Sequence, residues 1–535
     1  MLFRSHQPLF LAAATLLIGM AWMAILPPFE GLDEIAHYSS IRQIADTGTI
    51  PLFGHSFIAQ EVVVYKEQAP SPYALKPPYE DNGGLTYSAF FSEPERVAYY
   101  VARYKEASAR TPFKASDTPN WEAQHPPLYY LLMAPVMRAT DGWAFVNQIF
   151  VLRLFSFLLA FAGLVIGIYG SLRYTKAEGR EHAAKVAALY PLAVPTFIPE
   201  FARLGNDSLC LFLMGLIWPL ILRSAHGEGG RRDGLTLGVL FGLGLLTKAI
   251  FLPVFVGFVS FSVLHLWRNR SAEDKRKFCV RTQDMAALAV APLMAGAWYL
   301  YEWSATGAVT GSGEIVVLNQ QGGLWANLVP RFTILKLLAG VEQIVSSWSW
   351  AGSASLVVPP PAFMLPITML SLWLAYRYLQ AVRRAPLSDT IWLPLWLAAP
   401  LLAGLLYHVL IVIARGSGGT PGWYLNILAP VFVFAAVKGW ERSQHSAASR
   451  WLIRLLIVYA SLFLFVVLWL QMALFAGCAG IGADATYVFP GSTLCLEQFP
   501  EILRRLDVFA YPTLALVCAA GAALLLVWGL TQKSR

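Results

Sequence analysis

The sequence contains little charge for its length. Only 13% of its 535 residues are Asp, Glu, Lys or Arg, whereas soluble domains carry about 25%. Hydrophobic residues make up 57% of the chain, which is typical of a protein that faces lipid over much of its surface. The net charge of +8 does not indicate a nucleic-acid-binding protein. The basic residues lie in short clusters between apolar runs, as they do in the cytoplasmic loops of membrane proteins.

Cysteine is also scarce, with five residues in the chain. The sequence has no Cys-x-x-Cys pair, which argues against a redox-active dithiol, and no Cys/His cluster with the spacing of a zinc site. Cys210 and Cys518 fall in apolar runs and Cys279 falls in a basic loop, whereas Cys478 and Cys495 share a loop on the opposite side. In an oxidising compartment these two would form a disulfide that stabilises the fold by about 3 kcal/mol; the alternative is two free thiols.

Apolar runs predict an all-α polytopic membrane protein with about twelve transmembrane helices. We expect the first run, at 8–26, to be an uncleaved anchor rather than a signal peptide, because no small-x-small cleavage site follows it. The runs divide the chain into a first transmembrane helix (1–27), a loop (28–126), a transmembrane core (127–302), a second loop (303–361) and a C-terminal transmembrane bundle (362–535) with a loop at 476–507. The predicted spans are 8–27, 151–172, 183–201, 207–223, 234–248, 250–267, 284–302, 362–380, 389–412, 424–440, 451–475 and 508–530.

The positions of the basic residues predict the orientation of the spans. Alternate loops carry the basic clusters, so these loops and both termini are expected to be cytoplasmic. The clusters are Arg173, Lys176, Arg180 and Lys185; Arg223, Arg231 and Arg232; Arg268, Arg270, Lys275, Arg276 and Lys277; Arg377, Arg383 and Arg384; and Lys438, Arg442, Arg450 and Arg454. The long loops are therefore expected on the extracytoplasmic side. Long ordered loops are usually functional, so we expect the functional site there.

The main candidate catalytic residues open the first long loop, in the segment PFEGLDEIAH (28–37). If a helix starts near residue 32, Asp33 and Glu34 each share a helix face with His37. A carboxylate beside an apolar boundary has a raised pKa unless a cation compensates, which suits a general base. The same three side chains are the candidate ligands of a divalent metal, although a carboxylate pair is too generic to identify one. The alternative is an interfacial helix whose positive end the two acidic residues favour.

Two further groups lie at the loop's end and in a short turn. The segment EAQHPPLYY (122–130) contains His125, whose alternative role is that of a surface residue in an interfacial anchor. Both ends of the loop are tied to the membrane, so His125 and the acidic cluster can approach one another. The turn RLGNDS (203–208) contains Arg203, Asn206 and Asp207. The alternative role of Asn206 and Asp207 is to cap the next helix.

The remaining candidates are cationic or aromatic. Lys248 ends a short span, and a lysine at that depth needs a partner or an anion unless it extends to the lipid headgroups. Arg331 and Arg415 lie in other loops on the same side, and Tyr424 ends the segment PGWY (421–424). Cations in such positions bind phosphate groups, either of a substrate or of lipid headgroups.

Together these segments resemble the GT-C class of integral-membrane glycosyltransferases, which use polyprenyl-phosphate-linked sugars as donors. Within that class the chain is most similar to the bacterial DUF2142 family. The similarity rests on PFEGLDEIAH, QHPPLYY (124–130), GNDSL (205–209), LTK (246–248) and GWY (422–424), which occur in the same order. In one departure, Trp423 stands where the family usually has an arginine, and Arg415 is the candidate substitute for its phosphate contact.

The resemblance implies a GT-C-like helical bundle with a large first extracytoplasmic loop, in a bacterial inner membrane. It implies transfer of a sugar from a polyprenyl-phosphate donor to a glycan or lipid-linked acceptor, with inversion and with Asp33 as the general base. Glu34 would assist, with a divalent metal as an optional cofactor. The implied substrate-binding residues are His37, His125, Arg203, Asn206, Asp207, Lys248, Arg331, Arg415 and Tyr424.

Two other functions are compatible with the sequence. A transporter or a flippase of a lipid-linked glycan predicts charged residues in the middle of spans and paired broken helices. A non-catalytic subunit of cell-envelope assembly would tolerate the loss of Asp33 and Glu34. An enzyme should instead place Asp33, His125 and a cation around one cavity at the membrane surface.

Overall fold

The structure is a computed structural model that describes residues 7–72, 84–108, 111–175, 180–268, 275–352, 354–387, 389–441, 447–481, 487–489 and 493–531. The predicted basic residues Lys176, Arg270 and Arg442 lie outside these ranges. The α-helices of the described residues are α1 (Gln7–Ile25), α2 (Glu34–Thr47), α3 (Gln60–Gln68), α4 (Tyr87–Phe91), α5 (Pro94–Tyr100), α6 (Leu128–Ala139), α7 (Phe145–Arg173), α8 (Arg180–Ala193), α9 (Phe197–Ala202), α10 (Asp207–Ala225), α11 (Arg231–Leu245), α12 (Phe251–Arg268), α13 (Lys275–Thr306), α14 (Gly313–Gln320), α15 (Leu324–Arg331), α16 (Ile334–Ser347), α17 (Pro361–Arg383), α18 (Leu393–Arg415), α19 (Ala429–Glu441), α20 (Ala447–Phe475), α21 (Phe499–Leu506) and α22 (Pro512–Thr531).

Two small antiparallel sheets supplement the helices. β1 (Phe57–Ala59) pairs with β2 (Ala115–Pro119), and β3 (Gly480–Ile481) pairs with β4 (Tyr487–Val488). The first sheet joins the early and late parts of the 28–126 loop, so the segment after β2 returns to α2. There the side-chain amide of Asn120 donates hydrogen bonds to the carbonyl oxygen of Ala36 and the hydroxyl of Ser40, at 3.1 and 3.0 Å. This return places the HPP segment beside the acidic cluster.

The predicted all-α polytopic fold is confirmed. Among the described residues, eight helical segments are long and apolar enough to cross a membrane: α1, α7, α10, α17, α18, the segment Gly422–Glu441 that contains α19, α20 and α22. The other four predicted spans also coincide with helices, namely α8 with α9, α11, α12 and α13. The predicted span at 183–201 is broken between α8 and α9, next to Pro195, because proline lacks the amide hydrogen that a continuous helix needs.

Small residues bring helices of the bundle into close contact. Gly163 of α7 faces α10 so closely that a Cβ atom there would lie 2.3 Å from the Cα atom of Phe212. On α10, a Cβ atom at Gly215 would lie 2.0 Å from the carbonyl oxygen of Gly163. Such small-residue contacts are typical of helix packing in membranes, where the hydrophobic effect does not drive helices together.

Segments of the three long loops contact one another at one end of the bundle, which we call the loop face. The carboxylate of Glu30 accepts hydrogen bonds from Tyr87 and from Ser355, and Gly313 donates its backbone N–H to the side-chain oxygen of Gln124 at 2.9 Å. Near the C-terminus, Lys105 forms an ion pair with Asp507 at 2.6 Å. The predicted disulfide between Cys478 and Cys495 is present in the last of these loops. The loop face is therefore one connected layer over the helices.

Candidate active site

Asp33 lies in the turn between α1 and α2 and is the N-cap residue of α2. Its backbone is left-handed, with φ of 60°, a conformation that aspartate adopts more readily than most residues. The indole N–H of Trp121 donates a hydrogen bond of 2.9 Å to its carboxylate. Asp33 is exposed to solvent, whereas Glu34 and His37 on the following turn are buried. The turn therefore exposes the carboxylate of Asp33 at the loop face and buries that of Glu34.

The carboxylate of Asp33 is accessible to solvent but surrounded by protein, as expected in a concave site. Desolvation by the surrounding protein raises the pKa of Asp33, and the negative charge of Glu122 raises it further. Arg203, Trp121 and Lys248 act in the opposite direction without cancelling that rise. A carboxyl with a raised pKa that is open to solvent can serve as a general base.

Glu122 connects the two histidines of the predicted site. Its carboxylate lies 3.0 Å from Nε2 of His125 and 3.6 Å from Nε2 of His37. Burial alone would raise the pKa of Glu122, but the two histidines hold it well below its usual range. Burial lowers the pKa of His37 to about 4, and its Nδ1 lies 3.1 Å from the hydroxyl of Tyr130. His125 thus lies near the acidic cluster, and Glu122 links it to His37. Glu122 was not among the predicted site residues.

Two cations of the site are held by carboxylates. The Nζ atom of Lys248 lies 2.9 Å from both carboxylate oxygens of Asp207, and 5.0 Å from the ring centre of Tyr424. Arg203 forms an ion pair with Glu200 at 2.5 Å and donates a hydrogen bond of 2.7 Å to the carbonyl oxygen of Leu32. That last bond joins the guanidinium group directly to the turn that carries Asp33.

A family model described as "Predicted membrane protein (DUF2142)" matches residues 16–324. The chain belongs to the DUF2142 family. The matched range contains the whole first loop, Arg203, Asp207 and Lys248, but neither Arg415 nor Tyr424. No curated protein matches the chain.

Among the solved structures that are similar to this DUF2142 protein are two of the same protein. One is ArnT from Cupriavidus metallidurans bound to undecaprenyl phosphate, with 12% identity and a TM-score of 0.47 over 98% of this chain and 77% of that chain. The other is ArnT from the same organism in the apo state, with 12% identity and a TM-score of 0.39 over 88% of this chain and 74% of that chain. At this identity the likeness concerns the fold alone.

Glu34 of the DUF2142 protein occupies a structural position. Arg153 of α7 binds both of its carboxylate oxygens, at 2.8 and 2.6 Å, and the backbone N–H groups of Leu204 and Gly31 donate to the same oxygens. Burial alone would raise the pKa of Glu34, but Arg153 and these N–H groups lower it. Each oxygen of Glu34 already accepts two hydrogen bonds, which leaves little capacity for a sugar or a metal.

Arg153 is the partner that the sequence analysis missed. It also donates to the backbone carbonyl oxygens of Leu26 and Pro27, so it fixes the exit of α1. The available signal was a single charged side chain within a long apolar run, because such a residue needs a partner in a membrane. The sequence offered no means of identifying that partner.

The remaining predicted residues divide into those near the site and those elsewhere. Asn206 precedes Asp207 and is fully buried; within the described chain, its side-chain amide has no hydrogen-bond partner. Arg331 donates to the carbonyl oxygen of Ala414, and Arg415 lies 3.6 Å from Glu314. The two arginines thus make their contacts at the end of α18 rather than with the Asp33 turn.

The candidate metal ligands diverge. Glu34 turns to Arg153 and His37 turns to Tyr130 and Glu122, so neither forms a common set with Asp33. In the part of the chain that the structure describes, no group of three or more His, Cys, Asp or Glu side chains is arranged to hold a metal ion.

A cavity of about 490 Å³ adjoins the site between α16 and α18. Trp350 lines this cavity and packs against Trp423, with Leu32 and Tyr424 in the same apolar cluster. Leu32 directly precedes Asp33, and Tyr424 contacts Lys248. This apolar cluster therefore lies between the cavity and the Asp33 turn.

Proposed function

We propose that this DUF2142 protein is a membrane glycosyltransferase of the GT-C type. It would move a sugar from a polyprenyl-phosphate donor to a glycan or lipid-linked acceptor on the extracytoplasmic side of a bacterial inner membrane. One observation carries the proposal. A solvent-accessible carboxylate with a raised pKa, Asp33, lies at the loop face of an apolar bundle, close enough to Arg203 and Lys248 for both cations to influence its pKa.

In this reaction Asp33 accepts the proton of an acceptor hydroxyl as that oxygen attacks the anomeric carbon of the donor. The new carbon–oxygen bond forms as the bond to the phosphate oxygen breaks, and the polyprenyl phosphate leaves with the bonding electrons. A single displacement of this kind inverts the anomeric configuration. A positioned general base contributes about 10²–10⁴-fold to the rate of such a step.

The leaving phosphate needs a cation, and Lys248 is the first candidate. An ammonium group has three donors, and the carboxylate of Asp207 engages at most two of them at 2.9 Å. In the proposed reaction the third donor would bond a phosphate oxygen. Arg203 is the second candidate, because its guanidinium group already bonds the backbone beside Asp33. Positive groups arranged in advance around a developing negative charge are a major source of catalysis.

The position of the buried charges favours an enzyme over a transporter. Arg153 lies in α7, but its bonds to Leu26 and Pro27 place its guanidinium group at the loop face. The pairs of Arg203 with Glu200 and of Lys248 with Asp207 lie beside the same turn. A transporter is expected to bind its substrate near the bilayer midplane, between discontinuous helices.

The test is to incubate the purified protein with a panel of polyprenyl-phosphate sugars and candidate glycan acceptors, and to measure release of polyprenyl phosphate. We expect release with at least one donor from the wild type but not from Asp33→Asn. Asp117→Asn, which changes an exposed aspartate of the same loop, is the matched control and should retain activity. Release that continues unchanged in Asp33→Asn would contradict the assignment of Asp33, and binding of a donor without release would favour a carrier or an assembly subunit.

A further inference from the structure

The turn that carries Asp33 contains two residues in left-handed backbone conformations. Phe29 has a φ of 64° and Asp33 has a φ of 60°. For a bulky residue such as phenylalanine this conformation is an outlier. Strained residues of this kind persist only where the surrounding structure holds them, and they occur preferentially at functional sites. The contacts that hold this turn therefore determine where the carboxylate of Asp33 lies.

Glu30 lies between these two strained positions and joins the turn to two other segments of the loop face. It is 1% exposed, and its carboxylate accepts hydrogen bonds from the hydroxyl of Tyr87 at 2.5 Å and from that of Ser355 at 3.0 Å. The backbone N–H of Ala354 also donates to the carbonyl oxygen of Glu30 at 2.8 Å. Tyr87 belongs to the first loop and Ser355 to the second, so one buried carboxylate connects three segments.

Both hydroxyl partners of Glu30 are themselves held by the end of α20. The ring of Tyr87 contacts that of Phe475, and the ring centres are 5.3 Å apart. On the other side, the side-chain amide of Gln471 donates a hydrogen bond of 2.9 Å to the carbonyl oxygen of Ser355. The support of the turn thus comes partly from a region beyond the one that the family model matches.

We propose that Glu30 is a positioning residue for Asp33. Through the two hydroxyl groups it fixes one side of the turn, while the ion pair of Glu34 with Arg153 fixes the other. A general base must lie within hydrogen-bond reach of the proton that it accepts, and a displacement of about 1 Å can reduce a rate by about 10²-fold. This inference rests on the proposed glycosyl transfer, because it assigns Glu30 a role in that reaction without contact with the substrate.

A group that only accepts hydrogen bonds suits the position of Glu30. An ionised carboxylate has no donor, whereas an amide of the same size carries two. Glu30→Gln would therefore set an amide NH₂ group against one of the two donating hydroxyls, with little change in volume. Tyr87→Phe is a smaller change, because it removes one hydroxyl group and keeps the ring that packs against Phe475.

The test combines two measurements on the full chain in detergent. The first is the release of polyprenyl phosphate per folded protein, expressed as kcat and as the KM for donor. The second is deuterium exchange of the backbone N–H groups of residues 29–37, which reports local opening and does not depend on glycosyl transfer. The variants are Glu30→Gln and Tyr87→Phe. The matched control is Tyr378→Phe, which removes a buried tyrosine hydroxyl that bonds Ile391 between α17 and α18, at the end of the bundle away from the loop face.

We expect kcat to fall by about tenfold to hundredfold in Glu30→Gln and less in Tyr87→Phe, with the KM for donor within about twofold of the wild type. Exchange in residues 29–37 should be several-fold faster in both variants and unchanged in Tyr378→Phe. Unchanged exchange in both variants would overturn the proposal, and so would faster exchange with a normal kcat. An equal fall of kcat in Tyr378→Phe would indicate a general loss of packing and would overturn it as well.

The two measurements also separate this inference from the proposed function. A wild type that releases no polyprenyl phosphate from any donor would overturn the proposed function, and with it the positioning role of Glu30 in transfer. The exchange measurement would still decide whether Glu30 holds the turn.

Discussion

The two sides of the Asp33–Glu34 turn differ in what surrounds each carboxylate. On the open side, Asp33 is exposed, accepts one hydrogen bond from Trp121 and has a raised pKa. On the closed side, Glu34 is buried, accepts four hydrogen bonds and has a lowered pKa. The two adjacent carboxylates thus differ in their capacity to accept a proton from a substrate. A carboxylate without competing partners can take a proton from a substrate, whereas one saturated by an arginine and two backbone N–H groups stabilises the fold.

The largest expected effect is the loss of transfer in Asp33→Asn. Without a base at this position, the rate should fall by about 10²–10⁴-fold. The melting temperature should stay close to that of the wild type, because Asp33 is exposed and its amide replacement still accepts from Trp121. The measurements are donor turnover and thermal unfolding in the same detergent. If Asp33→Asn does not fold, Asp33 is required for the fold, and the contrast with Glu34 is wrong.

The complementary change on the closed side is Glu34→Gln, which should act on stability first. Removal of one partner leaves Arg153 charged and uncompensated in a buried position, a loss of about 3–5 kcal/mol in comparable pairs. We expect a lower melting temperature and less folded protein, whereas the folded fraction should still turn over donor. Normal stability combined with complete loss of turnover would instead indicate that Glu34 takes part in catalysis, as we propose for Asp33.

The contrast between the two sides also shows what could be predicted from sequence. The apolar runs predicted the helices because a run's length and composition are local properties, and every predicted span coincides with one or two helices. The ion pair of Glu34 with Arg153 joins residues 119 positions apart, and nothing local to either residue indicates the other. For the same reason, the sequence assigned Asp33 and Glu34 to one site and overlooked Glu122, whose importance comes from its contacts with His37 and His125.

A third change addresses the cation of the open side. Lys248→Ala should lower kcat/KM for donor by about tenfold to hundredfold, the equivalent of one charge-assisted hydrogen bond of about 1.5–3 kcal/mol. The change also leaves Asp207 unpaired, so some loss of stability is expected. Lys438→Ala is a matched control, because Lys438 is a partly buried lysine that pairs with Glu441 away from the site. An equal fall in kcat/KM in both variants would show that the effect of Lys248→Ala comes from impaired folding and not from a lost phosphate contact.

The smallest expected effect is a displaced pH profile in Glu122→Gln. The charged groups that influence Asp33 are Glu122 from the segment before α6, Arg203 from the turn after α9, and Lys248 after α11. Of these, Glu122 raises the pKa of Asp33 and the two cations lower it. Asp33 must be ionised to act as a base, so activity should rise as pH rises through its pKa. Loss of the negative charge at 122 removes one cause of the raised pKa of Asp33, and the rising limb of the kcat/KM profile should therefore move to lower pH.

The control is Asp117→Asn, which removes a negative charge from the same loop and should leave the limb in place. A limb that stays in place in Glu122→Gln would show that Glu122 does not influence the titrating group, and would contradict the assignment of that group as Asp33.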